Sequence, residues 1–269
     1  MMKIIKNEKG QALAPKTIFL DKEAFDNHNN TEIRWLGNAS IMINDYGTNI
    51  MIDPLLEGFD MPLLIEMPIL PDQIPHLDGI LITHIDNDHF SRPTCKDVLE
   101  VCDSYHAPHY VAQVMNEEGI LGIGHDINET FCIGDMKITL TKAVHNWQNG
   151  SSKYNYREWK IEDYCGYWIE TRNGTIWLPG DSKLIEEHLT REEPDVILFD
   201  FADNEWHITL DGAIQLANAY PNAKLICIHW GSVDAPAMNP FNGNPEDLYD
   251  RVVNPERIKV LAPGEKFVL

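Results

Sequence analysis

The run Thr83-His84-Ile85-Asp86-Asn87-Asp88-His89 directly follows the apolar segment GILI at 79–82, which predicts a short buried strand. Four side chains that can bind a metal ion therefore fall within six residues at the end of that strand. Imidazole and carboxylate groups together are a ligand set that borderline and hard divalent cations accept. A solvated polar turn is the alternative, because Asn and Asp favour turns, but this density of ligands favours a metal site.

Three further metal-competent side chains stand where other predicted strands end. His145 ends the run MKITLTKAVH, Asp181 follows GTIWLPG, and His229 lies at the end of LICIHW. For each one taken alone, a capping or turn residue is the alternative to a ligand. Since strand ends converge at one edge of a layered sheet fold, we expect the four segments to form one site.

The rest of the chain alternates predicted strands and helices. Strands are predicted at 32–37, 39–44, 48–53, 78–84, 109–114, 136–145, 165–171, 174–180, 195–202 and 225–230, and helices at about 91–102, 182–189 and 210–220. Five prolines between 54 and 75 predict a long surface loop, and 147–164 reads as a second one. Neither repeats nor a linker divides the sequence. We therefore predict one domain over 1–269, with 1–31 as a polar N-terminal extension.

The composition excludes several function classes. Lys and Arg number 21 against 42 Asp and Glu, so the formal net charge is −21. This charge disfavours binding to nucleic acid or to an anionic membrane, both of which need a basic surface. The five cysteines contain no C-x-x-C pair, which fits a reducing compartment. With neither a signal peptide nor a membrane span in the pattern, we expect a soluble cytoplasmic protein.

The order of these motifs resembles the metallo-β-lactamase superfamily of metal-dependent hydrolases. That signature is H-x-H-x-D-H, followed by a later His, an Asp in a G-D context and a last His; here the likeness extends over about 32–232. Within the superfamily the chain looks most like ascorbate-6-phosphate lactonase and related hydrolases, where T-H-x-H-N-D-H and an opening W-L-G also occur. The resemblance implies an α/β fold, a four-layer αββα sandwich. Periodicity alone does not distinguish it from a doubly wound sheet.

The resemblance also implies a set of metal ligands. These are His84, Asp86 and His145 for a first ion, Asp88, His89 and His229 for a second, and Asp181 between them. Asp86 departs from the signature, which has a His at that position. A carboxylate there makes the first site harder and more negative, and shifts its preference from Zn²⁺ toward Mn²⁺ or Fe²⁺. We expect one or two divalent ions, Mn, Zn or Fe.

By the same resemblance, the protein is expected to be a hydrolase in which bound ions activate water toward a lactone, ester or phosphodiester. Asp88 is predicted to orient or deprotonate that water; fixing a neighbouring ligand is the equal alternative. His207, just before the helix predicted at Leu210, is a candidate general acid. The alternative is a solvent-exposed histidine at a helix start.

The two long loops are candidates for the walls of a substrate site. The loop at 147–164 is rich in aromatic and basic residues, which suits an anionic small molecule, although its aromatics are also typical of core packing or a subunit contact. The loop at 54–75 is apolar and suits either an opposite wall or a homo-oligomer interface.

Three other functions stay open at this point. A di-iron oxidoreductase of the flavodiiron type has a carboxylate, usually Glu, where Asp86 stands, but it carries a flavin domain for which 269 residues leave no space. A nuclease of the same superfamily is disfavoured by the acidic charge. A metal-binding protein without turnover ranks last, because all seven ligand positions hold competent side chains.

Overall fold

The structure is a computed structural model, and it describes residues 2–269. Within that range two seven-stranded sheets face each other and three α-helices lie outside them. The strands are β1 Thr31–Gly37, β2 Ser40–Asp45, β3 Thr48–Ile52, β4 Gly79–Leu81, β5 Tyr105–Pro108, β6 Gly122–His125, β7 Thr130–Ile133, β8 Met136–Lys142, β9 Cys165–Glu170, β10 Thr175–Leu178, β11 Val196–Phe199, β12 Lys224–Cys227, β13 Ile258–Lys259 and β14 Lys266–Val268. The helices are α1 Arg92–Asp97, α2 His109–Glu117 and α3 Leu210–Ala219.

Each sheet has an antiparallel part and a parallel part. The first has the order β14-β1-β2-β3-β4-β5-β6 and is antiparallel up to β3, then parallel to β6. The second has the order β13-β12-β11-β10-β9-β8-β7 and is parallel from β13 to β10, then antiparallel. This topology places the carboxyl ends of β3 and β4, and those of β8, β10, β11 and β12, at one edge.

Alternation along β2 shows how the layers form. Ile41 and Ile43 pack in the core between the sheets, whereas Met42 points to the outer cluster that contains α2. Leu216 of α3 packs against the opposite outer face, with Trp177 of β10. The αββα sandwich expected for the fold is therefore confirmed, since helices cover both outer faces of the paired sheets.

Two predicted elements are wrong. The segment 109–114 was expected as a strand but forms α2, because its buried side chains Val111, Ala112 and Met115 follow helical spacing. The segment 182–189 was expected as a helix but contains only a 3₁₀ turn at Glu186–His188. Its backbone pairs instead with the chain near β8, since the Lys183 amide donates to the Val144 carbonyl at 2.9 Å. Helix α1 also ends at Asp97, earlier than predicted.

The N-terminal segment contacts the loop that follows β12. The Ala14 amide donates to the Gly231 carbonyl at 3.0 Å. Gly231 has φ +64°, and a Cβ atom there would approach the Ala14 nitrogen to 2.6 Å, so this contact requires glycine. Across residues 2–269, every helix is too short or too polar to cross a bilayer.

Candidate metal centre

The structure brings all seven predicted ligands together at the edge where the strands end. The loop after β4 carries residues 84–89, and single residues follow β8, β10 and β12. The seven side chains are buried or half-buried: His84, Asp86, Asp88, His89, His145, Asp181 and His229. The convergence follows from the topology, because these strands all run toward the same edge.

Asp181 lies at the centre of the cluster. Its Oδ2 atom is 3.1 Å from His89 Nε2 and 3.7 Å from His229 Nε2. The same oxygen is 3.9 Å from His145 Nε2. One carboxylate therefore faces histidines of both predicted ligand groups, which is the placement needed for a shared ligand.

Two smaller groups flank Asp181. Asp86 Oδ2 is 3.4 Å from His84 Nε2 and 3.5 Å from His145 Nε2. Asp88 Oδ2 is 3.4 Å from His229 Nε2 and 3.5 Å from His89 Nε2. Within each group, one ligand atom per residue lies within 4.8 Å of the others. Each of the two ligand groups that the resemblance implies is therefore compact enough to share an ion, and His207 lies within the same distance of His145 and Asp181.

The donors fit a divalent cation. Within the part of the chain that the structure describes, the buried Nε2 atoms of His84, His89 and His229 have no hydrogen-bond partner. Such atoms are rare in folded proteins unless a ligand or an ion occupies the space they face. The set contains no thiolate, and mixed imidazole and carboxylate donors suit Zn²⁺, Mn²⁺ or Fe²⁺.

The other ring nitrogen of each histidine is held by the protein. Thr83 Oγ1 is 2.9 Å from His84 Nδ1, and Asp53 Oδ2 is 2.8 Å from His89 Nδ1. A further pair of contacts joins His145 Nδ1 to the Trp206 carbonyl at 2.8 Å, and His229 Nδ1 to the Pro240 carbonyl at 3.0 Å. Fixing Nδ1 in this way directs Nε2 into the centre, as around protein-bound metals.

Two carboxylates that contact histidines of the cluster were not among the predicted site residues. Asp53 directly follows β3 and accepts hydrogen bonds from the Thr83 amide at 2.8 Å and its hydroxyl at 2.7 Å, besides contacting His89. Asp200 directly follows β11 and lies 2.7 Å from His207 Nδ1. Both stand at strand ends, so the rule that identified Asp181 could have identified them as well.

His207 lies inside the cluster. Its side chain is 4% exposed and its Nε2 atom is 3.5 Å from Asp181 Oδ2. Its ring centroid is 5.0 Å from that of His145. The alternative of a solvent-exposed histidine at a helix start is therefore wrong, whereas the catalytic role of His207 remains a prediction.

Charge in the centre is balanced between carboxylates and imidazoles. Burial alone would raise the pKa of Asp88, but the charges of His89 and His229 hold it at about 2. Burial would likewise raise the pKa of Asp86 and Asp181, yet neighbouring histidines keep both pKa values well below the ordinary range.

Three of the four histidine ligands have raised pKa values, and the fourth has a lowered one. Burial would lower the pKa of His229, but the nearby carboxylates of Asp181 and Asp88 raise it to about 9. The pKa of His89 is raised well above its ordinary value in the same way, and that of His145 is raised too. The pKa of His84 is lowered, by burial first and by the charge of His89 second. Cations are thus needed among these carboxylates, and a metal ion would displace imidazolium protons.

A cleft of about 600 Å³ opens over the centre. Both predicted loops contribute to it. Its walls are largely aromatic and apolar and include Phe59, Met61, Trp147, Tyr154, Trp206 and Phe241, with Arg92 and Lys153 as its cations. Trp159 of the second loop is only 2% exposed and packs with Ala143 and Tyr164, so part of that loop is a small core of its own.

Comparison with known proteins identifies relatives of this chain. A family model described as a β-lactamase superfamily domain matches residues 48–230. A UPF0173 metal-dependent hydrolase from Methanobrevibacter smithii is 27% identical over 253 residues, which cover 88% of this chain and 96% of the relative.

Solved structures share the fold at lower identity. Igni18, a metallo hydrolase from Ignicoccus hospitalis, is similar with a TM-score of 0.69 and 18% identity over 89% of this chain and 98% of that one. CmlA, a diiron β-hydroxylase from Streptomyces venezuelae, is similar with a TM-score of 0.67 and 13% identity over 89% of this chain and 54% of that one. At these identities the likeness shows the fold alone.

Proposed function

Since this chain belongs to the β-lactamase superfamily and is a metal-dependent hydrolase, we propose that it cleaves a lactone, ester or phosphodiester bond in a small molecule. The observation that carries the proposal is the set of three buried, unpartnered Nε2 atoms around Asp181, at the floor of an open cleft. The resemblance to ascorbate-6-phosphate lactonase supports lactones as the first substrates to test.

The residues would hold one or two divalent ions as predicted. His84, Asp86 and His145 form one ligand group, Asp88, His89 and His229 form the other, and Asp181 faces both. When bound, the ions supply the acidity that activates water and polarises the bond under attack. Three carboxylates among seven ligands favour Mn²⁺ or Fe²⁺ over Zn²⁺.

Two residues of the chain would move the protons. Asp88 is half-buried beside the cleft, and Asn38 Nδ2 donates to its backbone carbonyl at 3.0 Å and to its Oδ2 at 3.4 Å, so the carboxylate is held where it would orient water and accept its proton. His207 lines the same cleft and would donate a proton from Nε2 to the leaving oxygen while Asp200 holds Nδ1. The water oxygen would form a bond to the attacked centre as the bond to the leaving oxygen breaks, and the proton accepted by Asp88 would replace, through solvent, the one donated by His207, so that one water molecule is consumed overall.

The cleft also supports a substrate with an apolar part and an anionic part. Aromatic walls bind the apolar part through area burial. Lys153 at the cleft has no ion-pair partner within residues 2–269, whereas Arg92 is paired with Glu118. In a protein of net charge −21, an unpaired cation beside the site favours an anionic group there.

The test begins with metal analysis of protein purified without added metal. A screen of lactones, esters and phosphodiesters should then reveal turnover that chelator removes. His84→Ala and Asp181→Ala should abolish this turnover, while His76→Ala, an exposed histidine outside the cleft, should retain it. Activity that persists in both site variants would refute the assignment.

A di-iron oxidoreductase is the second candidate. Asp86 favours it, because carboxylate ligands suit iron, and CmlA shows that the fold accommodates a di-iron enzyme. Iron at two ions per chain together with oxygen consumption, and no hydrolysis in the screen, would select this function instead.

A further inference from the structure

We propose that Gln148 makes Asp86 a one-oxygen ligand by engaging Oδ1, while Trp147 orients Oδ2, the oxygen that faces the centre, so that this carboxylate acts like the single-nitrogen imidazoles beside it. The inference rests on the proposed metal centre and concerns how one of its donors is positioned. Neither residue touches a histidine of the centre through its hydrogen-bonding group; both act on the Asp86 carboxylate.

The two oxygens of Asp86 have different surroundings. Oδ2 faces the centre, 3.4 Å from His84 Nε2 and 3.5 Å from His145 Nε2, and it also accepts the Trp147 Nε1 hydrogen at 2.8 Å. Oδ1 accepts the Gln148 Nε2 hydrogen at 2.7 Å. Oδ2 thus faces the centre and is oriented by the indole of Trp147, while Oδ1 points away from the centre and is engaged by the amide of Gln148.

Trp147 and Gln148, which form the hydrogen-bonding frame of Asp86, are themselves held in place. Gln148 is fully buried, and its Oε1 accepts the hydroxyl hydrogen of Tyr164 at 2.5 Å. Tyr164 is 1% exposed. The ring of Trp147 meets that of Tyr154 edge to face, with centroids 5.1 Å apart. Neither donor can turn away without breaking a second contact, so the frame is rigid around the carboxylate.

An aspartate carboxylate needs such a frame more than an imidazole does, because either of its two oxygens can bind an ion. An aspartate offers two equivalent oxygens and binds large, oxygen-preferring cations with both. A hydrogen bond from a neutral amide occupies Oδ1 and opposes this two-oxygen mode, since groups hydrogen-bonded to ligands orient them. The frame should therefore strengthen binding of Mn²⁺ or Zn²⁺ and disfavour Ca²⁺.

The test measures metal affinity of the metal-free protein for Mn²⁺, Zn²⁺ and Ca²⁺ by competition with a chromophoric chelator. Trp147→Phe keeps the aromatic ring without the donor, and Gln148→Met keeps the length without the amide. Each should weaken Mn²⁺ and Zn²⁺ binding by roughly tenfold. Gln148→Met should also raise Ca²⁺ affinity relative to Mn²⁺, because Oδ1 becomes free.

Trp159→Phe is the matched control. Trp159 lies on the same loop, and its Nε1 donates to the Tyr154 carbonyl at 2.9 Å rather than to Asp86. Its substitution should leave metal affinity unchanged. Equal losses in Trp147→Phe and Trp159→Phe would overturn the proposal, because they would show that loop packing alone matters.

A double-mutant cycle separates positioning from general damage. In an Asp86→Ala background, Trp147→Phe and Gln148→Met should have no further effect on affinity. Equal losses with and without Asp86 would overturn the proposal, as would wild-type affinity in both single variants. Wild-type protein that binds no metal would refute the metal centre itself, so the two failures are distinguishable.

Discussion

The carboxylate of Asp53 lies 2.8 Å from His89 Nδ1 and is 1% exposed, so the residue that follows β3 orients a ligand supplied by the loop after β4. The Asp53 carboxylate also accepts hydrogen bonds from the Thr83 amide and from the Thr83 hydroxyl. It therefore connects the opening hairpin to the metal centre. Its φ of +46° shows that the backbone adopts a left-handed conformation to place this carboxylate.

Removing the Asp53 carboxylate should damage metal binding and folding together. Asp53→Ala leaves His89 Nδ1 and the Thr83 amide without their acceptor, so we expect about 3 kcal/mol lower free energy of unfolding. Metal affinity should fall by about tenfold or more, because outer partners tune ligands. Denaturant titration and chelator competition measure the two effects. Asp126→Asn, which changes an exposed acid, should alter neither; unchanged metal affinity in Asp53→Ala would contradict the orienting role.

The ligands were predictable from the sequence because each one follows a strand whose apolar pattern is visible in the sequence. Asp53 and Asp200 occupy the same kind of position, but nothing local separates an outer carboxylate from a turn residue. The contacts of Trp147 and Gln148 with Asp86 join residues about sixty positions apart, and loop conformation alone creates them. Helix α2 was misread because its third buried residue, Met115, lies just beyond the apparent alternation at 109–114.

Metal removal should destabilise the wild-type protein. Chelation leaves Asp86, Asp88 and Asp181 balanced only by imidazolium groups, so the melting temperature should fall and recover when Mn²⁺ or Zn²⁺ is restored. Scanning calorimetry with and without chelator measures this difference. Asp181→Asn, which weakens binding, should show a much smaller difference, and a wild-type melting temperature insensitive to chelator would argue against resident metal.

The stability of the metal-free protein should depend on pH in a predictable direction. The pKa of His229 rises from 6.5 to about 9 on folding, so its stabilising contribution is complete below pH 6.5 and is lost as pH rises through 9. The pKa of Asp88 falls from 3.8 to about 2, so its contribution is present above pH 3.8 and is lost as pH falls through 2. These two groups therefore place maximal stability between about pH 4 and 6.5.

Bound metal should remove the loss of stability that the metal-free protein shows at alkaline pH. Above pH 6.5 protons compete progressively less for His229, so metal affinity should rise with pH toward 9. The gap in melting temperature between metal-loaded and metal-free protein should therefore widen from pH 6 to about pH 9. A gap that stays constant over this range would show that imidazolium groups do not balance the carboxylates. His229→Ala should reduce the alkaline dependence of the metal-free protein, and the raised pKa values of His89 and His145 should account for what remains.

His207 offers the sharpest test of the chemistry, because a general acid matters most when the leaving group is basic. His207→Ala should lower kcat by roughly 10²- to 10⁴-fold for an alkyl ester or lactone that the enzyme turns over, with little change in KM. For an analogue whose leaving group is a nitrophenolate, which departs without protonation, the loss should nearly disappear. Asp200→Asn should reproduce the pattern more weakly, since Asp200 holds Nδ1 of His207 at 2.7 Å. Equal losses for both kinds of leaving group would instead indicate that His207 binds metal or substrate, and chelator competition would then separate these two roles.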